Sequence, residues 1–218
     1  MTTTNPTIAE QVVTLNEGMT AQAPAEILAK FGAEQADLDA AGVPSGVAVA
    51  GSPMPDGDLL DAHGAATTLE KARDGKPAVV VFYRGAWCPF CNIALRTYEQ
   101  QLVPELSARG VTLIAVSPQK PDGSLSMQET NELTFAVLSD PANQIAGQLG
   151  ILTTPSDDAR SAQAALGLDV TAVNADGTAT LPMPTTVIVG ADGTIRWIDV
   201  HPNYTTRSEP AAILSALD

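Results

Sequence analysis

Positive charge is scarce in this chain. Eleven lysines and arginines stand against 25 aspartates and glutamates, a net charge of −14 over 218 residues. Nucleic acid and anionic lipid both require a basic surface, so neither is expected as a partner, and the imbalance reads as solubility. Long apolar runs are missing too. No window approaches ~18 consecutive apolar residues, so no membrane span is expected. Met1-Thr2-Thr3-Thr4-Asn5-Pro6 has neither the basic start nor the apolar stretch of a secretory leader, which points to a cytoplasmic, reducing setting. There are two histidines, His63 and His201, in separate segments without ligand spacing. A structural zinc site takes four ligands, so no metal is expected. No nucleotide motif is present either, and the expected cofactor is none. Repeats and low-complexity tracts are absent.

Cysteine is almost as rare, but its two copies are concentrated. Cys88 and Cys91 lie in Tyr83-Arg84-Gly85-Ala86-Trp87-Cys88-Pro89-Phe90-Cys91-Asn92, between the apolar run Ala78-Val79-Val80-Val81-Phe82 and the helix-like Ile93-Ala94-Leu95-Arg96-Thr97-Tyr98-Glu99. A strand therefore hands over to a helix at the two sulfurs. A helix N-terminus carries unpaired N–H groups and the positive end of the dipole, which stabilise a thiolate. The thiolate is the form that attacks a disulfide or a peroxide, and the second cysteine can close the oxidised sulfur into a short disulfide.

The rest of the chain supplies a setting. A hydrophobic content of 44% suits one large domain, or a domain with an extension. Residues 1–45 read as a helical extension, because Ile8, Val12, Leu15 and Met19 recur at helical spacing, as do Ile27, Leu28 and Phe31. Pro24 and Gly32 frame a short second helix. Asp58–Asp61 reads as a short strand and Leu69–Arg73 as a helical turn. A helix from about Cys88 to Ala108 should break near Val103, since Pro104 removes a backbone donor. Val111–Val116 is a second buried strand, parallel to the first in a βαβ unit. Residues 124–132 should include a helix, and Thr134–Leu138 a strand. Asp140-Pro141 and Thr154-Pro155-Ser156-Asp157-Asp158 should start further helices, ending at Gly150 and near Gly167. Residues 168–182 give no clear element. Thr185–Val189 and Thr194–Val200, joined by Asp192-Gly193, form a hairpin, and Ser208-Glu209-Pro210 opens a last helix. A Cys-x-x-Cys after the first strand of such an order reads as a thioredoxin-like α/β fold.

The string around the cysteines, together with Leu138-Ser139-Asp140-Pro141 and Leu181-Pro182-Met183-Pro184-Thr185-Thr186-Val187-Ile188-Val189, resembles the peroxiredoxin (alkyl hydroperoxide reductase/thiol-specific antioxidant) family, in its branch with a Cys-x-x-Cys. The resemblance implies a thioredoxin-like domain over residues 46–218, with a central mixed β-sheet flanked by helices. It also implies an antioxidant oxidoreductase that reduces hydrogen peroxide or alkyl hydroperoxides. An external dithiol such as a thioredoxin would restore it, and it would act as a monomer or homodimer. The family's Pro-x-x-x-Thr/Ser-x-x-Cys places the attacking sulfur at Cys91, with Arg84 where the family has proline and Cys88 where it has threonine or serine. Trp87-Cys88-Pro89-Phe90-Cys91 equally resembles the thioredoxin pentapeptide, which makes Cys88 the nucleophile of a disulfide oxidoreductase. The two resemblances give the same pair opposite roles, and a non-catalytic module that keeps the fold is a third reading. Met183-Pro184-Thr185 resembles the segment with the cis-proline that faces the disulfide, so Pro184 is expected to be cis and, with Thr185, to line the site.

Among the remaining residues, Arg84 can pair with the thiolate or hydrogen-bond a peroxide oxygen, or else make a surface ion pair. Arg196 and Arg207 are fallback cations. Trp87 should pack beside the sulfurs. His63 and His201 read as surface or turn residues, because thiol exchange needs no dedicated histidine.

Overall fold

The computed structural model describes residues 5–218. Met1–Thr4, on which the reading of a non-secretory start partly rests, lie outside the described residues. Two helices lead, α1 (Ile8–Gln22) and α2 (Ala25–Ala41). There follow β1 (Asp58–Leu60), β2 (Ala66–Thr68), α3 (Leu69–Arg73), β3 (Ala78–Phe82), α4 (Pro89–Gln101), α5 (Val103–Ala108) and β4 (Thr112–Ser117). Next come α6 (Pro121–Thr130), β5 (Ala136–Ser139), α7 (Gln144–Leu149), β6 (Leu152–Thr153), α8 (Asp157–Ala165) and α9 (Val170–Val173). The chain finishes with β7 (Leu181–Pro182), β8 (Thr185–Val189), β9 (Ile195–Val200) and α10 (Pro210–Leu217).

Seven strands make one mixed sheet in the order β2-β1-β5-β4-β3-β8-β9, and β6 pairs with β7 apart from it. β3 runs parallel to β4, as the βαβ reading requires, and antiparallel to β8. Every residue of β3 is buried. Its alternation explains why a continuous apolar run is needed. Val79 and Val81 face the core that holds Cys88, Cys91, Leu95 and Tyr98. Ala78, Val80 and Phe82 face the opposite core, with Leu59, Ile145 and Val187. The helix after β3 breaks at Leu102, one residue before the expected point, with Pro104 inside the first turn of α5.

Four local expectations are corrected. Gly32 does not end the second helix. The helix continues to Ala41 and stops at Gly42, at φ 66°, because its packing against α8 outweighs one interior glycine. Pro141 is not the first residue of a helix. Asp140 instead reaches across a turn, and its carboxylate accepts the N–H groups of Gln144 (2.7 Å) and Ile145 (2.9 Å) at the start of α7. Residues 168–182, which lack periodicity, contain the short α9 and β7. Met183–Pro184 is trans, since no described residue has a cis peptide bond. The extended backbone runs straight into β8, and the Pro184 carbonyl accepts the His201 N–H at 2.9 Å.

The N-terminal helices dock on this frame. Thr7 and Glu10 form a reciprocal capping box at the start of α1. Ile8 and Val12 then enter the same core as the cysteines. The carboxylate of Glu209, just before α10, accepts the N–H groups of Ile8 (3.0 Å) and Ala9 (2.8 Å), closing the start of α1 onto the end of the chain.

Candidate active site

Cys88 is the N-cap of α4, with Pro89 at its first position and Cys91 in its first turn. The Cys88 carbonyl accepts the N–H groups of Cys91 (3.0 Å) and Asn92 (3.1 Å), so the pair sits on the positive end of the helix. The loop before it is tightly held. Gly85 has φ 154°, and a Cβ there would lie 2.9 Å from the Gln119 side chain and against Trp87, so glycine is required. Gln119 accepts the Ala86 N–H at 2.6 Å. Asn92 donates to the carbonyls of Ala86 (2.7 Å) and Cys88 (2.9 Å), and Asn131 donates to Asn92 at 2.7 Å.

Both cysteines are free thiols, with 1% of Cys88 and none of Cys91 exposed. Their surroundings separate them. Arg207 donates from Nη2 to Cys91 Sγ at 3.0 Å. Its Nη1 is tied to the carbonyls of Tyr204 and Thr206, both at 2.6 Å, which fixes the guanidinium in the loop after β9. Burial opposes a charge on Cys91. The hydrogen bond from Cys88, the charge of Arg207 and the Arg84 N–H outweigh it, and the thiol is held well below its ordinary pKa. Burial pushes Cys88 the other way, reinforced by its donation to Cys91 and only partly opposed by Arg84 and Arg207. The cation in direct contact thus favours negative charge on Cys91. Burial also disfavours the charge of Arg207, but the facing Cys91 sulfur raises its pKa.

The expected residues fall into two groups. Cys88, Cys91, Arg84, Trp87 and Pro89 are together. Arg84 is buried and stacks its guanidinium over Tyr204 at 3.9 Å and Trp87 at 5.0 Å, so it is not a surface ion pair. Its charge acts on both sulfurs, but the cation in contact with Cys91 is Arg207, placed by the sequence only among the fallbacks. Arg196 pairs with Asp192 on the hairpin at 2.7 Å. Pro184 and Thr185 stand at the end of β8 nearest the loop, where Thr185 pairs with Phe82. The Thr185 hydroxyl donates to the Met183 carbonyl at 2.9 Å. His63 lies exposed in the β1–β2 turn, and His201 bonds Asp199 (3.0 Å) and Thr206 (2.8 Å). Sequence reasoning missed Tyr204, Gln119 and Asn131, which have no spacing relation to the cysteines. Among the described residues, no cluster of histidine, cysteine or carboxylate could hold a metal. No described helix is long and apolar enough to cross a membrane.

A cleft of about 580 Å³ opens above the site. Arg84, Trp87, Pro89, Phe90 and Tyr204 form its floor, and α1 and α2 supply the facing wall.

Comparison with known proteins places this geometry. A putative peroxiredoxin of Haemophilus influenzae is 34% identical over 80 residues, covering 35% of this chain and 49% of that protein. A putative peroxiredoxin of Mycobacterium tuberculosis is 30% identical over 95 residues, covering 44% and 59%. The chain thus spans about half the length of the curated relatives it matches. Among solved structures, reduced Prx3 of Vibrio vulnificus in complex with hydrogen peroxide superposes with a TM-score of 0.63 at 19% identity, covering 79% of this chain and 100% of that one. Peroxidoxin BcpB of M. tuberculosis gives 0.57 at 19%, covering 77% and 93%. These likenesses establish the peroxiredoxin-type, thioredoxin-like fold. Residues 50–198, more than half of the chain and all of the cysteine loop, match the AhpC/TSA family, and the chain belongs to that family.

Proposed function

We propose that the chain is a thiol peroxidase in which Cys91 attacks and Cys88 resolves. The observation that carries this reading is the placement of Arg207, which donates to Cys91 Sγ at 3.0 Å while its other nitrogen is held by two backbone carbonyls. The Cys91 thiolate attacks the terminal oxygen of R–O–O–H, forming S–OH as the O–O bond breaks. The departing RO⁻ takes a proton from water, and sulfur is oxidised by the two electrons that oxygen gains. Arg84 and Arg207 supply positive charge where the leaving oxygen becomes negative. The Cys88 thiol then condenses with the sulfenic acid, releasing water and giving the Cys88–Cys91 disulfide. An external dithiol, of thioredoxin type, reduces it and is itself oxidised. The cycle calls for no bound cofactor and suits a reducing, cytoplasmic setting. Residues 46–218 would carry it out, with residues 1–45 as a helical extension. The alternative, with Cys88 as the nucleophile of a disulfide oxidoreductase, is disfavoured because Arg207 gives its hydrogen bond to Cys91.

The test is single-turnover peroxide loss on pre-reduced protein. Cys88→Ser, which keeps a hydroxyl donor beside Cys91, should consume peroxide rapidly, and Cys91→Ser should do no better than a free thiol. Rapid loss in Cys91→Ser, or free-thiol rates in the wild type, would overturn the assignment.

A further inference from the structure

We propose that the N-terminal helix pair builds a subsite for the apolar tail of an organic hydroperoxide, making a bulky aryl or alkyl hydroperoxide the preferred oxidant over hydrogen peroxide. The proposal rests on the peroxidase reading above. Its substance lies in residues outside the family match, which begins at residue 50.

Size gives the first argument. Both sulfurs are buried beneath the floor of the cleft, and that floor includes Trp87, Pro89 and Phe90, the residues flanking them. Hydrogen peroxide occupies about the space of two waters, each roughly 30 Å³ in the liquid. The cleft offers about 580 Å³, in the range of small-molecule sites.

The chemistry of the wall gives the second. Met19 on α1 and Leu28 and Phe31 on α2 are only half-buried and turn toward the cleft, with Leu166 and Leu168 beside them. Among the described residues, Arg84 is the one charged side chain in the lining. In a chain with 25 acidic residues, no described carboxylate borders this space, and the guanidinium of Arg84 is already stacked on Tyr204 and Trp87, so an apolar tail meets no carboxylate to desolvate.

Gly32 gives the third. It lies inside α2, where glycine is a poor helix former, and it shows none of the usual reasons for its presence. Its φ is not left-handed, and a Cβ would meet nothing within 4 Å. It borders the cleft. The missing side chain provides room, one helical position from Phe31.

A tail held between α2 and the Trp87–Phe90 floor leaves the hydroperoxide end against the floor over Cys91. The reaction is the one written above, with cumene hydroperoxide giving 2-phenyl-2-propanol. The experiment measures the second-order rate constants of the reduced protein with cumene hydroperoxide and with hydrogen peroxide, and takes their ratio. Gly32→Leu fills the cleft while improving the helix, so it isolates the loss of space. Phe31→Asn removes apolar wall. Each should lower the ratio by about ten-fold, and an unchanged ratio in both would overturn the proposal. In parallel, 2-phenyl-2-propanol is titrated against tryptophan emission in the Cys91→Ser protein, with and without Gly32→Leu. Binding that Gly32→Leu abolishes supports the subsite, and no binding to the Cys91→Ser protein with Gly32 intact overturns it. Free-thiol rates with both peroxides, alongside intact alcohol binding, would instead bring down the peroxidase reading.

Discussion

A thiolate sealed from water keeps its charge only where neighbours replace the lost hydration. Cys91 has three such neighbours, and each is replaceable to a different degree. The Cys88 thiol is a donor that serine can imitate, and the family resemblance puts threonine or serine at that position. The Arg84 N–H is backbone and survives any side-chain change. Arg207 brings a cationic side chain into direct contact with the sulfur. Arg207→Gln should therefore move the Cys91 pKa upward, so that thiolate absorbance appears at higher pH than in the wild type. Below the new pKa the sulfur is protonated, and the peroxide reaction at neutral pH should slow by about ten-fold or more. Arg207→Lys should fall between, because one ammonium cannot keep two carbonyl bonds and the sulfur contact in the same planar arrangement. If the absorbance midpoint of Arg207→Gln matches the wild type, the charge of Arg207 does not set the thiolate.

At the scale of elements, the β3-loop-α4 unit is legible in the sequence because its physics is local. A strand covered on both faces must be apolar throughout, a helix start must leave N–H groups free, and Pro104 must break the helix that contains it. The hairpin β8–β9 is legible through its Asp-Gly turn. The end of α2, the Asp140 cap and the trans Pro184 depart from the sequence reading because packing or pairing outside the local string decides each of them. Arg207 is undervalued for the same reason: it lies 116 residues from Cys91, in a loop without periodicity. Gly85 is the point where local strain meets the site. Gly85→Ala should cost about 1–3 kcal/mol, since an L-residue there is strained and its Cβ collides with Trp87 and Gln119. Chemical denaturation of the reduced protein checks this, and a loss below a few tenths of a kcal/mol would mean that the loop yields easily.

Across the whole molecule, α1 and the approach to α10 hold each other. Glu209 caps α1 across about 200 residues, and Tyr98 donates to the Ser208 carbonyl beside it at 2.7 Å. Glu209→Gln keeps the shape and removes the charge, a loss of about 0.3–1 kcal/mol at a helix N-terminus. Amide exchange in α1 should quicken by about two- to five-fold while β3 keeps its protection. Equal quickening in both would show a global effect instead. The same closure orders events during synthesis. Cys88 and Cys91 leave the ribosome long before Arg207 and Glu209, and α1, the first described helix to be made, lacks its Glu209 contact until residue 209 has emerged. A growing chain therefore carries two ordinary thiols with no Arg207 against them, and an unanchored first helix. A chain cut before residue 207 therefore keeps both cysteines but lacks the guanidinium that contacts Cys91.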